Sequence, residues 1–291
     1  MVVDASSTTS SAATSSSSSY VSVRALDKFG HSEQLTHALK AANLQGTLVV
    51  AAHDTANNCT LVLSVLDTTA TSASARVMPK IPRMMHLIHQ KPPAFMTTST
   101  NSIQTAVVCT GIKGDANWLI QQLQAYSHRV WTRYNTFVGT SGIALATSKY
   151  MRQFWKYDPD DEYLPGRLIR DDDHKDPSFQ WGRPLGVVAM IVSAHVPYIF
   201  VVEPSGVMQR YTAFAMGKHS SNALEHLGQA LDPSSSSSAS SSKMTFRSPN
   251  LQGRLVEVLQ SAVPSNPKKQ LNILVEILSK DGVNRTVLSV R

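Results

Sequence analysis

A chain of 291 residues with 42% hydrophobic content can bury one substantial core, and its length allows one or two domains. Two cysteines, Cys59 and Cys109, are too few for a disulfide framework and fit a reducing compartment, while a net charge of +7 spread over scattered basic residues, with no aromatic-interleaved basic motif, argues against a nucleic-acid partner. The opening MVVDASSTTSSAATSSSSS lacks a basic segment followed by an apolar one, and no apolar run approaches about 18 residues, so neither export nor membrane insertion is expected.

Residues 1–19 are dominated by Ser, Thr and Ala and read as a disordered tail, leaving 20–291 as a single folded domain with inserted loops. Ser32 can cap a helix in which Leu35, Ala38, Leu39 and Ala42 recur at helical spacing, with Gly46 near its end. Two β-rich runs, 47–52 and 59–66, flank the polar cluster His53-Asp54-Thr55-Ala56-Asn57-Asn58 and predict a hairpin. A polar loop at 67–75 follows. Pro79, Pro82, Pro92 and Pro93 then limit 78–104 to two short strands and an inserted loop near 91–102. His86 and His89 would share a helix face at i, i+3, but Pro82 upstream and the absence of a nearby Cys or carboxylate favour an ordinary half-buried pair over a metal site.

Residues 105–110 read as a strand, and Asp115 as the cap of a long helix with the stripe Leu119, Leu123, Tyr126 and Val130. A second helix is expected from Ser141, with Ile143, Ala146, Tyr150, Met151 and Phe154 on one face, antiparallel to the first and covering the same sheet. The insertion 157–180 carries Asp158, Asp160, Asp161, Glu162 and Asp171-Asp172-Asp173-His174, without the ligand spacing and glycine of a calcium loop, so it reads as a solvated acidic loop. Three strands follow at 185–193, 198–202 and 207–216, the first apolar enough to be covered on both faces, with Pro204-Ser205-Gly206 as a turn. Ser220 or Ser221 opens a helix with Leu224, Leu227 and Leu231, and the serine run 234–242 interrupts as a loop. A helix over 250–262 aligns Leu251, Leu255, Val258 and Leu259, and strands 271–278 and 283–290 close the chain through Asp281-Gly282. Periodicity alone gives a mixed α+β domain, with no cofactor site.

Three segments carry more than periodicity: Gly182-Arg183-Pro184-Leu185-Gly186, Glu203-Pro204-Ser205-Gly206 and Ala215-Met216-Gly217-Lys218. In order and interval they resemble successive signatures of 20S proteasome subunits, the α type above all. The resemblance implies a four-layer αββα sandwich of the Ntn-hydrolase kind and a non-catalytic place in the outer ring. It extends to an N-terminal ring-face helix, where Gly30, Gln34 and Ala38 match the family's spacing and Leu35, Leu39 and Ala42 complete the face; Thr36 and His37 stand where the family has Glu and Tyr. The Tyr-Asp-Arg gate element is missing, since Tyr20 is followed by Val21 and Ser22. Gly111, Asp115 and Ala116 match the family's strand-to-helix junction. The implied partners are other proteasome α and β subunits and a regulatory particle or activator, in cytoplasm and nucleus. Lys80 is the candidate for a pocket between adjacent α subunits that accepts activator tails.

The chemical question is Thr47. β-type relatives cut themselves after a glycine and use the freed threonine amine as base, and Gly46-Thr47 is the right dipeptide. Such a site also needs an aspartate and a lysine, for which Asp67 and Lys80 are the nearby candidates, at intervals that fit the β type imperfectly. An uncut Thr47 has an amide in place of an amine and therefore no base. The α-type ring subunit is the leading expectation, with a processed β-type threonine peptidase and a ring-free binding module of the same fold as alternatives.

Overall fold

The structure is a computed structural model that describes residues 32–66, 84–88, 104–153, 184–231, 251–263, 271–280 and 282–290. The expectations for the tail 1–19, the loops 67–75 and 91–102, the insertion 157–180 and the serine run 234–242 lie outside the described residues. In chain order the elements begin with α1 (Glu33–Gln45), β1 (Val49–Asp54), β2 (Cys59–Leu66), β3 (Met85–Leu87), β4 (Thr105–Gly111), α2 (Lys113–Tyr134) and α3 (Thr140–Gln153). They continue with β5 (Val187–Ser193), β6 (Ile199–Val202), β7 (Met208–Tyr211), β8 (Ala213–Met216), α4 (Ser220–Leu231), α5 (Leu251–Ala262), β9 (Leu271–Ser279) and β10 (Gly282–Val290). The fold is mixed α+β, with two antiparallel five-stranded sheets ordered β10-β9-β2-β1-β8 and β3-β4-β5-β6-β7.

Strand periodicity sorts the side chains into three apolar clusters. On β1, Val49 and Ala51 join a cluster that also takes Ala106, Val108, Val188 and Met190 from the other sheet, so the two sheets share it. The alternate residues Val50 and Ala52 pack instead with Leu227, Leu255 and Leu259 of α4 and α5. On β5, Val187, Ala189 and Ile191 meet Leu119 and Leu123 of α2 and Ile143 and Met151 of α3. All seven β5 residues are buried, as the unbroken apolar run predicts. Full burial of each large aliphatic side chain contributes about 1.5–3 kcal/mol, which makes these interlayer clusters the main source of stability.

Local chemistry sets the turns. In the β1–β2 hairpin Asp54 Oδ1 accepts from the Ala56 and Asn57 amides at 2.9 and 3.4 Å, and Oδ2 from Asn57 Nδ2 at 2.7 Å. Asn58 takes φ 45°, which asparagine tolerates. In the β6–β7 hairpin Gly206 takes φ +78°, and its amide donates to Glu203 O at 2.8 Å.

Four expectations are corrected. The predicted strand 207–216 is two strands: β7 pairs with β6, the chain bends at Thr212, and β8 pairs with β1 of the other sheet. Helix α2 starts at Lys113 with Ile112 as an N-cap lacking a side-chain bond, because the Asp115 carboxylate is used elsewhere: Oδ2 accepts from Gly186 N at 2.9 Å. His86 lies on strand β3, paired with Val107, so helical i, i+3 spacing does not apply; His89 is outside the described residues. On α4 the buried face is Ala223 and Leu227, and Leu224 is turned outward. A smaller shift puts the start of α3 at Thr140, one residue before Ser141.

Candidate functional site

The corner around Thr47 is built where α1 hands the chain to β1. Ser32 caps α1 as predicted, its Oγ accepting from Leu35 N at 3.5 Å, and Gly46 ends the helix in an extended conformation with its amide donating to Ala42 O. Thr47 is exposed and Leu48 is buried. From the far side, the end of β8 crosses over the junction: Lys218 N donates to Gly46 O at 3.0 Å. Gly217 there has φ +91°, and a Cβ on it would lie 2.1 Å from Thr47 O. The site thus brings together Gly46, Thr47, Gly217 and Lys218, and the Gly46–Thr47 peptide is a hydrogen-bonded structural unit. In this intact chain the Thr47 nitrogen is an amide that cannot take a proton from the hydroxyl. Asp67 and Lys80 lie outside the described residues.

Helix α1 lies on the ends of β4 and β5. Ala38 and Ala42 are buried, while Leu35, Leu39 and Gln34 are half-buried and Leu39 packs against the cluster shared by the sheets. Gly30 is outside the described residues. The seat is lined by glycines because backbones meet there. A Cβ on Gly111 would fall 2.2 Å from Gly186 O and 3.1 Å from Ala42 Cα. Ile112 N donates to Gly186 O at 3.0 Å, so together with the Asp115 bond the start of α2 is stitched to the start of β5 directly beneath α1. Of the three signature segments, Gly186 thus supports α1 and Gly217 covers Thr47. Gly206 is seated on α3, where Ser148 Oγ donates to its carbonyl at 2.5 Å.

Two buried polar groups escaped sequence reasoning: Glu276 interrupts an otherwise apolar strand, and His53, expected with Asp54 in the turn cluster, lies instead on β1, where both are buried. Glu276 on β9 is fully buried; Oε2 accepts from the Met84 and Met85 amides at 3.2 and 2.6 Å, and Oε1 from Arg285 Nε at 2.5 Å. His53, at the end of β1, places Nδ1 3.0 Å from Thr60 Oγ1, which donates to Ser193 O at 2.7 Å. Burial lowers the His53 pKa, against a smaller raising effect of Asp54, and burial pushes the Cys109 thiol up to about 12. Among the described residues no group of three or more His, Cys, Asp or Glu could hold a metal, and no helix is long and apolar enough to cross a membrane. No family model and no curated protein matches the chain.

Proposed function

We propose that the chain is a non-catalytic α-type subunit of the 20S proteasome core particle. In this reading it is one of the chains that build the outer ring, control access of substrates and dock a regulatory particle or activator in ubiquitin-dependent degradation, in cytoplasm and nucleus. The observation that carries the reading is the seat of α1. This helix packs on the glycine-lined ends of β4 and β5 and runs through Gly46 into Thr47, so cleavage after Gly46 would strip away a helix whose Ala42 is fully buried. The finer fold goes with it: a four-layer αββα sandwich of the Ntn-hydrolase kind. Its support is one apolar cluster shared by the sheets and two more that join each sheet to its own pair of helices. The partners are other α and β subunits, and neither nucleic acid nor membrane is among them.

One observation favours the β-type alternative, in which the chain is a processed threonine peptidase: Thr47 follows a glycine and is exposed. Intact mass of the chain from purified particles, with peptidase assays on Thr47→Ala particles, separates the two. The α-type reading expects residues 1–46 to be retained and every peptidase activity to be unchanged, because proteolysis comes from other chains. Loss of one activity, with residues 1–46 kept in the variant but removed from the wild type, would establish the β-type reading instead.

A further inference from the structure

His53 is the one buried histidine among the described residues, set where the two sheets meet, and it is independent of the Thr47 corner. It shares the inward face of β1 with Val49 and Ala51 and is 2% exposed. Thr60 lies directly opposite on β2, and its single hydroxyl proton goes to Ser193 O on β5 of the other sheet. The neutral ring therefore carries its proton on Nδ1 and donates it to Thr60 Oγ1. The His53 amide donates to Thr212 O at 3.2 Å, at the bend where the chain changes sheets.

We propose that His53 is an acid-released latch, which holds the β1–β2 turn end of one sheet to the end of β5 while neutral and lets that end open when the ring takes a second proton. The second proton, on Nε2, puts a full charge on a ring that packing has removed from water. Burial accordingly lowers the His53 pKa, and Asp54 opposes this only in part.

The surroundings offer the imidazolium little. Asp54, next on β1, has both carboxylate oxygens committed to the turn. From β2 come Thr60 and the neutral thiol of Cys59; from β9 come Leu278, opposite Thr60, and Glu276 two pairs further on, already held by Arg285 and two amides. Ser193 leads into the exposed His195, Tyr211 precedes the Thr212 bend, and Lys280 beyond β9 is itself cationic. No carboxylate among the described residues bonds the ring. Swinging the turn outward hydrates the imidazolium, breaks the Thr60–Ser193 bond and uncovers Cys59, which pairs with Asp54 across the same turn.

The test labels the full-length chain with 4,4′-dithiodipyridine from pH 7.5 to 5.0, normalises each rate to a free thiol at that pH, and assigns Cys59 by peptide mapping. Cys59 labelling should accelerate below pH 6.5 by up to about tenfold per pH unit. In His53→Asn, whose side-chain amide stands where Nδ1 does and can donate to Thr60 Oγ1 without titrating, the acceleration should vanish. Hydrogen exchange on the wild type keeps the test decisive if that variant fails to fold: residues 51–60 and 190–194 should lose protection at pH 5.0 while α5 retains it. A flat labelling profile, the same acceleration in His53→Asn, or simultaneous loss of protection in α5 would overturn the latch.

Discussion

Replacing Glu276 by Ala removes a side chain that joins β9 to β10 and to the start of β3. The Glu276 carboxylate is 0% exposed and accepts three hydrogen bonds, two from the Met84 and Met85 amides and one from Arg285. Met85 is buried, so its orphaned amide costs about 1–3 kcal/mol. Met84 is half-buried and recovers part of its loss from water. The Arg285 side chain is 30% exposed, so its share of the ion pair is screened and held to about 1 kcal/mol. Together these give a destabilisation of about 2–5 kcal/mol. Arg285→Ala should cost less, because the carboxylate keeps both amide donors. Denaturant unfolding of the two variants against wild type measures both values. A loss under about 1 kcal/mol for Glu276→Ala, or a larger loss for Arg285→Ala, would refute the clasp.

Gly217→Ala should destabilise by more than about 2 kcal/mol, since φ is +91° and the new Cβ would meet the Thr47 carbonyl, whereas Gly228→Ala, with open space around a helical glycine, should be neutral or slightly stabilising in the same thermal melt. Leu39→Asp places a charge against the cluster shared by the sheets and should cost about 2 kcal/mol or more and remove the chain from high-mass fractions; continued co-migration with 20S particles would refute its placement. The Cys109 thiol, raised to about 12 from 9.0, keeps its proton in the fold after the unfolded chain has released it. Stability should therefore fall as pH rises above 9, and Cys109→Ala should flatten that slope in pH-dependent unfolding.

What the sequence made legible is what local physics decides. The Ser32 cap, the polar turn between β1 and β2, the Gly206 turn and the unbroken apolar run of β5 each have a short-range cause, and each is found in place. The break between β7 and β8 was not legible, because Thr212 has no glycine or proline beside it and alternation continues through the residue where the chain leaves one sheet for the other. Asp115 looks like a cap by its neighbours, yet the carboxylate answers to an amide far along the chain, Gly186, which no local pattern reveals. The same limit applies at the candidate site. Gly46-Thr47 is visible as a dipeptide, but the strand end that covers it, Gly217 and Lys218, is brought there only by pairing of β8 with β1. Glu276 is a polar residue in an apolar run and His53 reads as part of the turn cluster, and the partners of both are set by sheet register and by contact between the sheets.

The central claim, that this chain is a ring subunit, is tested most directly by native mass spectrometry of the affinity-tagged full-length chain isolated from its own cells. The account predicts the 31.7 kDa chain, with residues 1–46 retained, inside a high-mass hetero-oligomer whose other members dissociate as 20S α and β subunits. Recovery of a lone 31.7 kDa chain, or of a chain that begins at Thr47, would contradict it.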